Sequence, residues 1–304
     1  MTLRPLSLLL LLAAAIARAG LIEDARDAHQ DGHDLEAAGF LALAAKQGDT
    51  HAQYLLARSY ETGIGVPRNE AESAAWYLKA AVGGSVAAQN NLGCLYAVGR
   101  GVPQDDAKAF EWFEKAASAR ERKTVALART NLGGMYLHGR GVAKDEAKAA
   151  ELFRKAAEAG NPFAQSNLGY LLEHGIGVKR DHAEAARWYR EAAGQGLSFA
   201  EANLAIAYES GLGVQRDAEV ALNWFRRAAR HGDALSMYKL GRAHELGLGA
   251  AKDPIEACAW YRLAAERGER RASESAKRLE AALTRFEATQ ARRRADDARK
   301  VFDE

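Results

Sequence analysis

The sequence contains few of the residues that cross-link a chain or interrupt a helix. Only 2 of its 304 residues are cysteine and 5 are proline. Two thiols form at most one disulfide, so a small fold held together by several disulfides is excluded. The scarcity of proline leaves long stretches able to form helix. The formal net charge of +2 gives no electrostatic reason to expect a nucleic acid as partner.

Long apolar runs are also missing, apart from one near the start. Leu6 to Ile16 follows Arg4 and is shorter than the roughly 20 residues that a helix needs to span a bilayer. Ala17-Arg18-Ala19 then has the small-x-small form of a signal-peptidase site. We predict a signal peptide over residues 1–19 that is cleaved after Ala19, a periplasmic or secreted location, and no membrane span after cleavage. An uncleaved N-terminal anchor is the alternative.

The chain is built from a repeated unit. In the stretch from Ala164 to Gly196, two apolar stripes at helical spacing flank the turn Gly175-Ile176-Gly177-Val178. Asp181 then stands at the N-cap position and Glu184 at the reciprocal position of a capping box. The stretch therefore predicts a helical hairpin. Its opening small residue recurs at Ala52, Ala88, Ala128, Ala164, Ala200 and Ser236, in steps of 36 residues with a single step of 40.

A fixed period in this range is typical of a solenoid, in which each unit buries its apolar stripe against the next. The pattern A-x-A-Q-x-x-L-G-x-x-Y-x-x-G-x-G-V-x-x-D, followed by W-Y-x-x-A-A-x-x-G, resembles the Sel-1-like repeat, a relative of the tetratricopeptide repeat. The resemblance implies an all-α, right-handed α/α superhelix, with six repeats over residues 50–268. It also implies an adaptor for other proteins, usually without catalysis of its own.

Both ends of the repeat array have their own pattern. Residues 20–49 resemble a plain tetratricopeptide hairpin, with Gly32-His33-Asp34 as a compact turn and Asp34 as the N-cap of its second helix. Residues 269–304 are predicted to form one or two helices that cap the last repeat. Their predicted apolar stripe is Leu279, Leu283 and Phe286.

The step of 40 residues lies between the second and third repeats. We expect one extra helical turn near residues 118–126, since four residues make about one turn. It is expected to project as a charged bump, and a tolerated insertion is favoured over a partner contact. Cys94 and Cys258 lie four repeats apart, too far for a disulfide if adjacent helices pack about 10 Å apart. We expect both to be reduced, small packing residues.

Patterns that could indicate chemistry have structural explanations. The GxG turns join two helices, whereas a phosphate-binding loop follows a strand. Ser236-Met237-Tyr238-Lys239 matches the S-x-x-K motif of penicillin-binding enzymes, but no S-D-N or K-T-G follows. His138 and His174 occupy equivalent positions without an evident third metal ligand. We predict no catalytic residue, cofactor or metal.

The resemblance to tetratricopeptide repeats implies a partner-binding groove on the concave side, lined by the first helix of each repeat. The residues assigned to it are Asn91, Cys94, Asn131, Leu137, Asn167, Tyr170, Glu173, Asn203, Ile206, Tyr238 and Arg242. An asparagine amide can donate to and accept from a peptide backbone. The alternative is a ladder of asparagines that joins neighbouring helices. The groove is expected to be apolar in the middle and charged at its ends. Phe163 and Phe199 could instead staple adjacent repeats.

These observations favour a non-catalytic adaptor of the cell envelope, which binds a protein or peptide of unknown identity. Two alternatives remain. One is an envelope hydrolase or penicillin-binding enzyme, which would need a nucleophile and a base in one cleft. The other is a structural spacer in an envelope assembly.

Overall fold

The computed structural model describes residues 20–119 and 122–303, and every regular element within these residues is an α-helix. The helices are α1 over residues 20–30, α2 (Asp34–Lys46), α3 (Thr50–Thr62), α4 (Glu70–Val82), α5 (Val86–Val98), α6 (Asp106–Ala117), α7 (Arg122–His138), α8 (Glu146–Glu158), α9 (Pro162–His174), α10 (His182–Gly194), α11 (Ser198–Ser210), α12 (Ala218–Arg230), α13 (Ala234–Leu246), α14 (Pro254–Glu266), α15 (Arg270–Ala282) and α16 (Arg285–Asp303).

The helices belong to two compact units, which divide between Leu152 and Phe153. Within each unit, the first helix of a repeat packs on the second helix of the same repeat, as α3 packs on α4 and α11 on α12. The second helix also packs on the first helix of the next repeat, as α4 packs on α5 and α12 on α13. The predicted helical hairpins are therefore confirmed in both units.

The core of each hairpin combines alanines with one large ring. Phe113, Tyr189 and Tyr261 are buried, and each lies against a glycine of the first helix of its own repeat. A Cβ at Gly169 would lie 2.8 Å from the Tyr189 ring, so that only glycine leaves room for the ring. The L-G pair of the repeat thus has a packing role.

The second glycine of the GxG turn is a contact between repeats. Gly101 has φ of +68°, which favours glycine, and a Cβ there would overlap the Glu70 carbonyl oxygen at the start of the preceding second helix. A Cβ added at Gly65, Gly141, Gly213 or Gly249 would likewise overlap a backbone carbonyl oxygen at the start of the preceding second helix. The turns are structural, as their position between two helices predicts.

The N-cap predicted at Asp181 is confirmed, and it recurs in the other repeats. The carboxylate of Asp181 accepts a hydrogen bond from the Glu184 backbone N–H at 2.9 Å, and Asn69, Asp105, Asp145, Asp217 and Asp253 cap their helices likewise.

The reciprocal half of the capping box is wrong. Glu184 does not bond to the Asp181 N–H, because that N–H already donates to the Leu172 carbonyl of the first helix at 2.9 Å. The Glu184 carboxylate accepts instead from Arg154 and from the Trp188 indole.

The N-terminal hairpin departs from its prediction in one respect. Asp34 is the first residue of α2 and not its N-cap, which is His33, without a side-chain cap bond. The Asp34 carboxylate lies 2.5 Å from Nδ1 of His29. The three-residue turn holds His29 close to Asp34, and this contact replaces the cap.

The inserted residues lengthen α7, which has 17 residues where the first helix α9 has 13. The extra turn predicted near residues 118–126 is therefore confirmed, at the start of α7. Val125 and Ala126 in this turn are buried, so the added turn contributes to the core, whereas Arg120 and Glu121 of the expected charged bump lie outside the described residues.

Two helices cap the C-terminal end, as α15 and α16 both pack on α14. Leu279 is buried, but Phe286 is 72% exposed, so the predicted stripe is wrong at its last member. Helix α15 ends before Leu283, and α16 begins after Thr284. The hydroxyl and the backbone N–H of Thr284 both donate to the Glu287 carboxylate. This break carries Phe286 out of line with Leu279.

Candidate functional site

The predicted binding residues lie in both units. The face of the first helices that carries them is called the first-helix face. In the unit that ends at Leu152 it comprises Asn91, Cys94, Asn131 and Leu137, on α5 and α7. In the unit that begins at Phe153 it comprises Asn167, Tyr170, Glu173, Asn203, Ile206, Tyr238 and Arg242, on α9, α11 and α13.

The asparagines of the first unit form part of the stack. Asn131 donates to Oδ1 of Asn90 at 2.9 Å and approaches the Cys94 sulfur at 3.7 Å, which joins α7 to α5. Asn91 donates to the Tyr77 hydroxyl at 3.1 Å. The ladder hypothesis is confirmed at these positions.

Cys94 is exposed, so only Cys258, which is fully buried, is a packing residue. Both thiols are free.

The corresponding asparagines of the second unit have no such bonds. The Asn167 side chain makes no hydrogen bond with any residue that the structure describes, and the buried Nδ2 of Asn203 likewise has no partner. Part of the difference follows from the partner positions: Phe153, without a hydroxyl, stands fourteen residues before Asn167 as Tyr77 stands before Asn91, and Ser166, without an amide oxygen, has for Asn203 the position that Asn90 has for Asn131. Two of the four asparagines at this repeated position therefore have no side-chain hydrogen-bond partner among the described residues.

Aromatic side chains are exposed beside these asparagines. Phe163 is 55% exposed, Phe199 is 51% exposed and Tyr170 is 40% exposed. Phe163 and Tyr170 are seven residues apart on α9, about two turns, and therefore share one face. Phe199 occupies the slot of Phe163 in the next repeat. We call Phe163, Tyr170 and Phe199 the aromatic patch. Phe163 and Phe199 are each more than half exposed, so a contact with the adjacent repeat would leave much of each ring free for a partner.

A second repeated contact was not predicted. In three repeats the buried tyrosine of the second helix donates to a glutamate sixteen residues earlier: Tyr77 to Glu61, Tyr189 to Glu173 and Tyr261 to Glu245, each at 2.7 Å. Burial, and then the bonded glutamate, raise the pKa of all three tyrosines far above the usual range. The repeats with Phe113 and Phe153 carry Ala97 and Leu137 in the glutamate slot, but Phe225 follows Glu209 by sixteen residues, so the joint variation was only a partial signal.

The last repeat gives the second unit a polar end. The Arg271 guanidinium lies 4.8 Å from the Tyr238 ring centre, and Lys239 forms an ion pair with Glu209 at 2.5 Å. The Arg242 guanidinium makes no hydrogen bond or ion pair among the residues that the structure describes. Ile206 is half-buried against the core of this unit. A charged end of the first-helix face was predicted here, and Arg242 provides it.

The S-x-x-K match has no catalytic geometry. Ser236 is fully buried, so a substrate cannot reach its hydroxyl, and the Lys239 ammonium is held by Glu209.

His174 is exposed and contacts Tyr170. The centres of the two rings are 4.3 Å apart, and the His174 Nδ1 lies 3.0 Å from the Tyr170 carbonyl oxygen.

Within residues 20–119 and 122–303, no cluster of three or more His, Cys, Asp or Glu side chains could hold a metal ion. Over the same ranges, none of the helices combines the length and apolar character needed to cross a membrane. The predicted signal peptide at residues 1–19 lies outside the described residues.

Comparison with known proteins identifies the family. The Sel1 repeat model matches residues 50–85, 86–120, 126–161, 162–197, 198–233 and 234–269. The chain therefore belongs to the Sel1 repeat family, whose fold is an all-helical solenoid. Residues 121–125, between the second and third matches, include the first residues of the longer α7.

Two solved structures are similar over most of the chain. One is c5321, described as a protective antigen of uropathogenic Escherichia coli with an SLR fold, at 33% identity, a TM-score of 0.78 and coverage of 91% of this chain. The chain spans only 62% of that protein. The other is a Sel1 repeat protein from Oxalobacter formigenes, at 33% identity and a TM-score of 0.73, with 81% of this chain and 99% of that one covered. No curated protein matches the chain.

Proposed function

We propose that this Sel1 repeat protein is an exported, non-catalytic scaffold that binds a protein or peptide segment on its first-helix face. The observation that carries the proposal is the aromatic patch of the second unit. Exposed aromatic side chains are the residues that most often dominate interface energetics. Solvent-exposed phenylalanine on two consecutive first helices is costly for a surface without a partner.

The side chains around the patch suit a backbone ligand. Asn167 lies between Phe163 and Tyr170 on α9, and its amide makes no bond within the described chain. An amide can donate and accept at once, which is what an extended peptide backbone offers in return. Arg242, which is likewise without an ion pair, would contact an acidic group farther along the same segment. The bound segment is therefore expected to combine apolar side chains with an acidic end.

Export is the second part of the proposal and rests on the sequence of residues 1–19. The description of c5321 as a protective antigen applies to that protein and is compatible with export of this one. N-terminal sequencing of the protein from the periplasm or medium should begin at Gly20. Recovery of the full-length protein from the cytoplasm alone would overturn this part.

Partner binding is tested with two matched double variants. Tyr170→Ala with Asn167→Ala removes one aromatic ring of the patch and the amide beside it, and Arg187→Ala with Arg226→Ala changes one exposed and one half-buried side chain of the second helices. Envelope extracts are passed over each immobilised protein, and captured proteins are quantified by mass spectrometry. The proposal expects at least one protein that the wild type and the arginine variant capture and the patch variant does not.

The opposite pattern, with loss only in the arginine variant, would move the binding surface to the second helices and overturn the assignment. A structural spacer would give the same captured set for all three proteins. Equal melting temperatures are expected, because all four side chains are at least partly exposed.

A further inference from the structure

The N-terminal unit contains an open cavity that the proposed function does not use. It has a volume of about 470 Å³ and lies between α1, the first turns of α2, and α3. This volume is in the usual range for small-molecule sites, roughly 300–1,000 Å³. Its apolar lining includes Ile22, Ala37, Leu41, Leu55 and Ile64. The cavity could therefore hold an apolar body of modest size.

The local sequence explains why the cavity is present at this end. Three residues connect α1 to α2, whereas seven connect α3 to α4, so the first hairpin lacks most of the long glycine turn. The side chain between the two glycines also differs. Arg140 of a later turn reaches back to Asp106 at 2.6 Å, at the start of the preceding second helix. Ile64 has the same position but cannot pair with Asp34, and it leaves an apolar surface there.

The polar groups at the mouth have an asymmetric arrangement. On the α3 wall, the Arg58 guanidinium makes no hydrogen bond or ion pair with any described residue. The carboxylate of Asp34 is held by His29. Glu23 lies on the α1 wall. A ligand whose charged group contacts α3 would therefore meet a cation that has no competing carboxylate bonded to it.

We propose that this cavity binds a small organic anion with an unbranched apolar chain, such as a medium-chain carboxylate. The chain lies against Leu41, Leu55 and Ile64, and the carboxylate accepts hydrogen bonds from the Arg58 guanidinium. The site does not depend on partner binding at the aromatic patch, which belongs to the other unit.

Binding is measured by isothermal titration calorimetry on the purified full chain, with octanoate, octanol and octylamine as probes. The three probes have the same chain and differ in the charge of the head group. Octanoate should bind saturably, one molecule per chain, and more tightly than octanol, with octylamine weakest. Absence of saturable octanoate binding, or octylamine binding as tight as octanoate binding, would overturn the proposal.

Two variants locate the site. Arg58→Gln should weaken octanoate about tenfold, which corresponds to the loss of one charge-assisted hydrogen bond, and leave octanol unchanged. Ile64→Arg should lose both probes, because the new side chain can reach Asp34 across the apolar surface, as Arg140 reaches Asp106.

The matched control is Leu212→Arg, which makes the same change in a turn of the other unit and should bind both probes as the wild type does. Equal loss in Leu212→Arg, or unchanged binding in Arg58→Gln, would contradict the assignment. Ile64 and Leu212 are both exposed, so neither arginine must be buried.

Discussion

The Tyr189 hydroxyl donates a 2.7 Å hydrogen bond to the Glu173 carboxylate, from the second helix of its repeat to the end of the first. Glu173 is at once a residue of the first-helix face and a half-buried structural partner. The same pairing recurs twice, at Tyr77 with Glu61 and at Tyr261 with Glu245. The tyrosines of the second helices thus fix the ends of three first helices through these glutamates.

Removal of one such bond should be measurable. We expect Tyr189→Phe to lower the free energy of unfolding by about 1–2 kcal/mol, because a hydrogen bond to a charged group is lost and the ring remains. Denaturant unfolding followed by circular dichroism gives the value. Tyr170→Phe is the control and should change it by less than about 0.5 kcal/mol, since that hydroxyl has no bond within the described chain.

The three buried tyrosines also predict a dependence on alkaline pH. Their pKa values lie above the ordinary 10.0 in the native protein, because burial and the bonded glutamates disfavour the phenolate. Below about pH 10 both states keep these protons, and the contribution to stability is complete. Above that pH the unfolded chain loses them while the native chain retains them, so the free energy of unfolding falls.

The measurement compares the wild type with the triple variant Tyr77→Phe, Tyr189→Phe, Tyr261→Phe between about pH 9 and pH 11. The triple variant should lose less stability over this interval, since it no longer has the three phenols. An identical pH dependence in the two proteins would show that the tyrosines ionise freely in the native state.

The contact of the second turn glycine with the preceding repeat gives a third prediction. Gly84→Ala meets no neighbouring atom and pays only for its φ of +93°, about 1–2 kcal/mol. Gly101→Ala has the same backbone cost and in addition overlaps the Glu70 carbonyl, so its destabilisation should be clearly larger. Thermal unfolding of both variants tests this order, and equal melting temperatures would mean that the turn moves away from α4 at little cost.

The asparagines of the two units should differ in stability effect. Asn131→Ala removes the bond to Asn90 and should cost about 1 kcal/mol, whereas Asn167→Ala removes no hydrogen bond within the described chain and should change stability by less than about 0.5 kcal/mol. Chemical denaturation of the two variants measures the difference. A loss at Asn167 as large as at Asn131 would indicate that Asn167 also has a structural partner.

The features that could be predicted from sequence are those set by spacing within one repeat. Helix lengths, glycine turns and N-caps such as Asp181 follow from residues a few positions apart, and the fixed period repeats them. Glu184 could not be assigned in this way. Its partner Arg154 lies thirty residues earlier, and the backbone group that a capping box would use is already bonded to Leu172.

The contacts of residues that depart from the repeat pattern could not be predicted from the sequence either. Glu201 occupies the slot of Gln165, whose amide donates to the Ala157 carbonyl, but a carboxylate cannot donate in that way. In the structure Glu201 is fully buried and pairs with Arg227 and His231 from the next helix. Exposure of Cys94, Phe163 and Phe199 also depends on how neighbouring helices pack, which the repeat pattern does not specify.

Site-specific photo-crosslinking tests the central claim, that the first-helix face binds a protein. A photoreactive phenylalanine analogue replaces Phe199 in one variant and Arg187 in a matched one, and both are irradiated in living cells. The account predicts a discrete higher-mass adduct from position 199, reduced when Tyr170→Ala and Asn167→Ala are added, and none from position 187. An adduct from position 187 alone, or none from position 199, would contradict it.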